Sequence, residues 1–449
     1  MKNTKKLLIS LSVVTAIALT GCVMESNTAT KQEVAQSKTI LEAYSNIALD
    51  SYSTALNDAN DLTKAIEKFA ANPTESTLEK AKDAWRVSRE SYGQTEAFRL
   101  SNGPIDAEEG WVSETYGALE GQINAWPLDE NMIDYTIDAN GAKTSGNIID
   151  TVGKFNPGGE DPKVVDVTKI TPEAISDLNE NGGDANVASG YHAIEFLLWG
   201  QDQDYSNFLK DSITNGPMTA GQRPLSDFTS EVNAPRRFAY LKAAAEKIVN
   251  DLETVTLAWQ KEVKGTAGLY NAALLGKLSG DNASKNIGKD EALKQIISGL
   301  GVFIKSELAN ERIAVAVLTP SEEDEHSCFS DNTHRDIATN YQGFKNILTS
   351  TYDGKKYGPS LLDKVDATSK AKIEKLMTSI EEKIALIDTT AKTKEHFDYQ
   401  IRPTSPMSKV IVKLKNEMRK LGDMMVPVAV SNGINLTTED VTDADETKL

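Results

Sequence analysis

Residues 40–69, ILEAYSNIALDSYSTALNDANDLTKAIEKF, decide the fold class. Ile40, Leu41, Tyr44, Ile47, Ala48, Tyr52, Ala55, Leu56, Ala59, Leu62, Ile66 and Phe69 recur at intervals of three and four. That period puts them on one face of an amphipathic helix, and Asn72-Pro73 closes it. A second helix is expected from the capping-box pattern Ser76-Thr77-Leu78-Glu79, burying Leu78, Trp85, Tyr92 and Phe98. Thr171-Pro172-Glu173 reads as another helix start with proline at the first position, and Pro235 opens a long helix to Trp259.

Farther along, helices are expected over 291–318, 336–349, 370–389 and 406–425. The one strand-like pattern is short, Lys163-Val164-Val165-Asp166-Val167. The chain therefore reads as all-α. It is expected to form two helical bundles, residues 34–263 and 289–449, joined by a Gly-, Ser- and Asn-rich linker over 264–288. The halves look like a diverged duplication. Gly190-Tyr191-His192 ahead of Gln201-Asp202 matches Asp324-Glu325-His326 ahead of Arg335-Asp336, and Tyr205 to Leu209 matches Tyr341 to Lys345. Phe329 then stands where the first half has Glu195.

The first 21 residues read as an export signal. Lys2, Lys5 and Lys6 precede an apolar run, Leu7 to Leu19, too short for a comfortable membrane span. Leu19-Thr20-Gly21-Cys22 resembles a bacterial lipobox, which implies lipidation of Cys22 and a tether over 22–33. Val23 rather than aspartate at the next position points to the outer membrane, with the body in the periplasm. Cys328 is then the one cysteine left, so no internal disulfide is available. The 66 acidic against 48 basic residues give a formal charge of −18, which repels nucleic acid and favours cations.

The chemistry concentrates at Ser189-Gly190-Tyr191-His192-Ala193-Ile194-Glu195-Phe196-Leu197-Leu198-Trp199-Gly200. This helix is apolar nearly all round, so it belongs inside the protein. His192 and Glu195 nonetheless share one face, three residues apart. A buried carboxylate needs a cation, a donor or a proton, and a metal held by His192 and Glu195 would answer that need. The bland alternative is a buried histidine–carboxylate pair that orients a helix. Metal sites usually take three or more ligands. Glu96, on the face of Trp85, Ser88 and Tyr92, and Asp129, after the turn Trp126-Pro127-Leu128, are the internal candidates. A second cluster spans Glu322 to Asp336: its run of acids reads as a solvated helix start, or else His326, Cys328 and His334 are ligands or pocket lining. His396 has no local partner and reads as structural. Nitrogen and oxygen donors suit iron, manganese or zinc. His-Glu-x-x-His, Gly-x-Ser-x-Gly and phosphate-binding glycine loops are absent from the sequence.

Gly190-Tyr191-His192-Ala193-Ile194-Glu195 resembles the Gly-x-His-x-x-Glu motif of imelysin-like proteins. Ala84 to Arg99 and Asn124 to Asp129 look like other blocks of that family, and His326 to His334 resembles its iron-regulated branch. The resemblance implies two helical-bundle domains, an exported lipoprotein and a role in iron acquisition beside an uptake receptor or transporter. It also brings a historical classification among metallopeptidases. It puts Glu96 and Asp129 in the pocket of His192 and Glu195, faced by His326, Ser327 and His334 from the second domain. Three functions are expected: binding of iron or another divalent metal, zinc-dependent peptide hydrolysis at the same site, or binding of haem or an iron chelate.

Overall fold

The computed structural model describes residues 37–138, 140–201, 220–320, 324–444 and 446. The export signal, Cys22 and the tether lie outside the described residues, as do Tyr205 to Leu209, Glu322 and Glu323.

The apolar stripe of residues 40–69 forms α1 (Ile40–Ala71), capped by the Thr39 side chain and ended at Asn72. The next helix, α2 (Glu75–Gly93), starts earlier than its sequence signal. Thr74 is the N-cap, and the reciprocal box pairs Thr74 with Thr77 rather than Ser76 with Glu79. Threonine at the third helical position returns the bond to the cap as a glutamate would. A single 3₁₀ turn, Glu96–Phe98, follows. Short helices α3 (Gly110–Tyr116), α4 (Glu120–Asn124) and α5 (Glu130–Ile133) come next.

The predicted strand survives as one two-residue ladder, Lys154–Phe155 antiparallel to Val165–Asp166. Thr171 caps α6 (Pro172–Leu178), with proline in the first turn. Then come α7 (Gly190–Trp199), α8 (Ser226–Thr229) and α9 (Ala234–Ala258). Helices α1, α2, α7 and α9 pack on one another. The stretch read as a linker carries α10 (Leu269–Leu274), all six of whose residues are buried. Trp259 stacks edge-on against Tyr270 at 4.9 Å and against Tyr44 at 5.8 Å, which ties this segment to α9 and α1.

Residues 289–318 form a continuous helix, but its middle is not α-helical. It runs as α11 (Lys289–Val302), a π-helical stretch (Phe303–Ala314) and α12 (Val315–Leu318). Wide turns of this kind are rare and re-aim side chains relative to α spacing. The rest comprises α13 (Thr333–Thr349), α14 (Ala367–Thr393), α15 (Phe397–Ile401), α16 (Pro406–Asp423) and α17 (Met425–Ser431). A second two-residue ladder joins Thr351–Tyr352 to Lys355–Lys356. Helix α16 packs on α14 and on the π-helical stretch, while α13 packs on both α14 and α2. The fold is all-α. Among the described residues no helix is long and apolar enough to cross a membrane.

Helix α7 is the centre of this arrangement: all ten residues are buried. Its start is fixed from three sides. The Ser189 hydroxyl donates to the Gln122 carbonyl at 2.7 Å, Tyr240 Oη donates to the Ala188 carbonyl at 2.6 Å, and Trp85 Nε1 donates to the Tyr191 carbonyl at 2.9 Å. Gly190 sits at φ +83°, and a side chain there would press on the Ile123 carbonyl. Replacing Gly190 by alanine is therefore expected to destabilise the fold by about 1–3 kcal/mol from backbone strain alone. Urea unfolding measures this, and an unchanged midpoint contradicts the packing described.

Candidate functional site

His192 and Glu195 share a face of α7 and neither exposes any surface. His192 Nδ1 lies 3.0 Å from Glu195 Oε2. The other carboxylate oxygen, Oε1, accepts from the Ser330 backbone N–H at 3.0 Å and from the Ser330 hydroxyl at 2.6 Å. Burial pushes the Glu195 carboxyl up to about 8, against the pull of Ser330, and burial together with Arg89 holds the His192 imidazole well below its ordinary range. Burial thus disfavours charge on either partner, and a hydrogen bond joins Nδ1 to Oε2. His192 Nε2 is buried and has no hydrogen-bond partner. In either tautomer that nitrogen is an unsatisfied polar atom, which costs roughly 1–3 kcal/mol.

Two rings enclose this nitrogen's imidazole. Trp126 lies 4.8 Å away between ring centroids, and His326 lies 4.8 Å away in an edge-on arrangement. His326 comes from the loop before α13. Its Nδ1 is 2.9 Å from Asp336 Oδ2 and 2.9 Å from Arg89 Nη2. Ser327 Oγ donates to the same Asp336 oxygen at 2.7 Å. Burial and the Arg312 and Arg89 guanidinium groups keep His326 neutral as well.

Beneath the histidines lies a layer of paired charges. Arg89 is 0 % exposed. It donates to Asp336 at 2.9 Å and to the Asn124 side-chain oxygen. Glu96 is ion-paired with Arg312 at 2.5 Å and accepts from Asn340 at 3.0 Å and Asn124 at 3.2 Å. Burial opposes its ionisation, but Arg312 and Arg89 hold its pKa below the usual carboxylate value. Glu307 accepts from Arg312 at 2.7 Å and Arg99 at 3.0 Å.

Above the layer opens a cleft of about 480 Å³, bordered by Arg99, Trp126, Glu180, Asp184, Glu311 and His326.

Five residues nominated by the sequence thus come together in two bonded groups, His192 with Glu195 and His326 with Ser327 and Glu96, which meet where the His192 and His326 rings pack. Two do not join it. The Asp129 carboxylate caps α5, accepting from the Met132 N–H at 3.0 Å, and no hydrogen bond or ion pair among the described residues links it to His192 or Glu195. Its rigid turn serves the helix start, not the pocket. His334 points to α14, with Nε2 3.6 Å from Asp388. Burial, outweighing Asp388, takes its imidazole down to about 4. Cys328 is buried and forms no disulfide, and His396 pairs with Asp331 at 3.1 Å.

Sequence reasoning missed Arg89, Asn124, Ser330, Asp336, Asn340, Glu307 and Arg312. A signal existed for Arg89, which falls between Trp85 and Tyr92 on the apolar stripe of α2. Among the described residues no three His, Cys, Asp or Glu side chains converge closely enough to hold a metal ion.

The comparisons with known proteins agree with this fold. The family model described as imelysin, peptidase M75, matches residues 48–423. Iron-regulated protein A of Synechococcus elongatus is 25% identical over 316 residues, 70% of this chain and 65% of that protein, so the chain spans less than two thirds of that relative's length. Among solved structures, a putative iron-regulated protein A precursor from Parabacteroides distasonis superposes with a TM-score of 0.54 at 16% identity, over 88% of this chain and 96% of the other. An imelysin-like protein from Psychrobacter arcticum gives 0.50 at 11% identity, over 90% and 99%. At these identities the two structures speak to the fold alone.

The paired-charge layer predicts an acid limit. Burial works against ionised Glu307, yet Arg99 and Arg312 hold its carboxyl at about 2 against an ordinary 4.5. A lowered folded-state pKa contributes stability that is complete above the unfolded value and lost as pH falls through the folded one. The stability advantage of the native chain over Glu307→Gln is expected to be on the order of 3 kcal/mol above pH ~5 and to shrink toward pH ~2. Urea unfolding across that range tests it; a gap independent of pH contradicts the pairing.

Proposed function

This chain belongs to the imelysin family, and from that premise we propose that it takes part in iron acquisition by holding iron, or another divalent cation, at the buried centre headed by His192. One observation carries the proposal: a sealed, neutral imidazole whose Nε2 has no partner while its Nδ1 is held by a carboxylate. Metal-binding histidines are commonly oriented in this way, through a carboxylate on the other ring nitrogen. The iron-regulated name of the Synechococcus relative supports the choice of metal.

The residues present fit such a cation in part. His192 offers a donor nitrogen, and His326 stands beside it as a second neutral imidazole at the edge of the cleft. Glu195 acts as the orienting group, since Ser330 and His192 occupy its oxygens. Glu96 is committed to Arg312, Asn124 and Asn340, and Asp129 to its helix cap, so neither belongs to the ligand set. Two imidazoles are too few for a bare ion. The bound species therefore brings ligands of its own, as water or as a small chelator. Glu180, Asp184 and Glu311 along the cleft give a cation a favourable approach.

Lipidation at Cys22 and a place on the periplasmic face of the outer membrane, supported by the lipobox-like sequence and Val23, would set the protein beside an uptake receptor or transporter. The contact of His192 with His326, which occupy matching positions in the two half-sequences, supports a duplicated origin. Peptide hydrolysis needs water and substrate at the centre. It also needs a general base, and Glu195 is held by Ser330 and His192, which favours binding over cleavage.

Metal analysis of protein loaded with ferrous iron tests the proposal. The native chain and Asp129→Asn are expected to retain equal iron, and His192→Ala is expected to lose at least tenfold in affinity while keeping its helical circular dichroism. Equal retention by His192→Ala contradicts the site.

A further inference from the structure

A second cleft lies at the start of α1, built partly by the Gly-, Ser- and Asn-rich stretch around α10. Its volume is about 480 Å³. The floor is aliphatic: Ile40 and Leu41 from α1, Leu274 and Leu275 from the end of α10, and Ile287 and Leu293 from the approach to α11 and its second turn. Leu41, Leu274 and Leu293 are buried, and the other three are partly open to the groove.

The rim is basic, in a chain whose net charge is −18. Lys38, Lys277, Lys289 and Lys364 all line the groove and are all exposed. Glu42 is the single acid among the lining residues, and it lies 3.7 Å from Lys277. The four lysines come from three separate parts of the chain, around 38, 277–289 and 364, so the cluster comes from the fold and not from a basic run. The first turns of α1 and α11 end here too, adding their unpaired N–H groups to the positive field. The size falls within the range of small-molecule sites. An apolar floor under a cationic rim is the complement of a long alkyl chain ending in an anion.

We propose that this groove binds a single-chain carboxylate amphiphile of the fatty-acid class. The alkyl chain lies on the floor of Leu274, Leu275, Ile287 and Leu293, and the carboxylate lies among Lys277, Lys289 and Lys364. Removing the alkyl chain from water supplies the affinity, and the lysines select the sign of the head group. The site is separate from the His192 centre and shares no lining residue with its cleft.

Dodecanoate, kept below its micellar concentration and titrated calorimetrically into the full chain, tests the proposal. Saturation at one dodecanoate per chain is expected, with dodecyltrimethylammonium failing to compete. The double variant Lys289→Glu, Lys364→Glu is expected to bind dodecanoate at least tenfold more weakly. Both side chains are exposed, and glutamate suits the first turn of α11, so its thermal midpoint should match the native chain. Leu275→Asp, which puts charge on the floor, should weaken binding as strongly. Absence of saturable binding, equal binding of the cationic surfactant, or unchanged affinity in the double variant overturns the proposal. Binding confined to acidic phospholipid vesicles, with none to monomeric dodecanoate, also overturns it and marks the lysines as a membrane-facing patch.

Discussion

Arg89 has none of its surface in water, and the centre of the molecule is arranged around it. A guanidinium cannot shed its charge, so burying one demands a full set of acceptors. Asp336 on α13 supplies two, Asn124 at the end of α4 another, and His326 Nδ1 lies within bonding distance. One side chain on α2 thereby fixes helices from both halves of the sequence and sets the position of His326. Truncating either Arg89 or Asp336 alone would strand a buried charge, a loss of about 3–5 kcal/mol.

The same logic extends through Arg312 and Arg99, which meet Glu96 and Glu307. The π-helical stretch makes this possible. Glu307 and Arg312 are five residues apart, a separation that faces the same way only when the turns are wide. Not every buried polar atom here is matched: His192 Nε2, like Arg99 Nε, Tyr92 Oη and His334 Nδ1, has no hydrogen-bond partner. What sets His192 Nε2 apart is its setting, a ring held on its other nitrogen by Glu195 and packed against a second buried imidazole, and the cation proposal rests on that arrangement.

Much of this was legible in the sequence. The three-and-four spacing in residues 40–69 gave α1 nearly to the residue, Thr171-Pro172 gave the start of α6, and Gly200 gave the end of α7. A histidine and a carboxylate on a wholly apolar helix had to be buried together, and they are. The arginines were harder, because a lone arginine reads as a solvated face until its partners are known, and those of Arg89 lie 35 to 247 residues away. Arg312 was hidden further by the π register, which α-helical counting cannot anticipate. Asp129 was misplaced for the opposite reason. A carboxylate after Trp126-Pro127-Leu128 looks inward-facing, but Asp129 is the N-cap of α5 and accepts from the Met132 N–H three residues on. Leu269 to Leu274 show the limit of composition, since six buried residues sat unnoticed inside a stretch that reads as a linker.

The central claim is that His192 Nε2 is kept for a bound cation while Glu195 orients the ring. X-ray absorption at the iron K edge of the iron-loaded protein tests this most directly. The account predicts first-shell nitrogen with outer-shell imidazole scattering that weakens in His192→Gln and is unchanged in Asp129→Asn. An all-oxygen first shell, identical in the native chain and in His192→Gln, would contradict it.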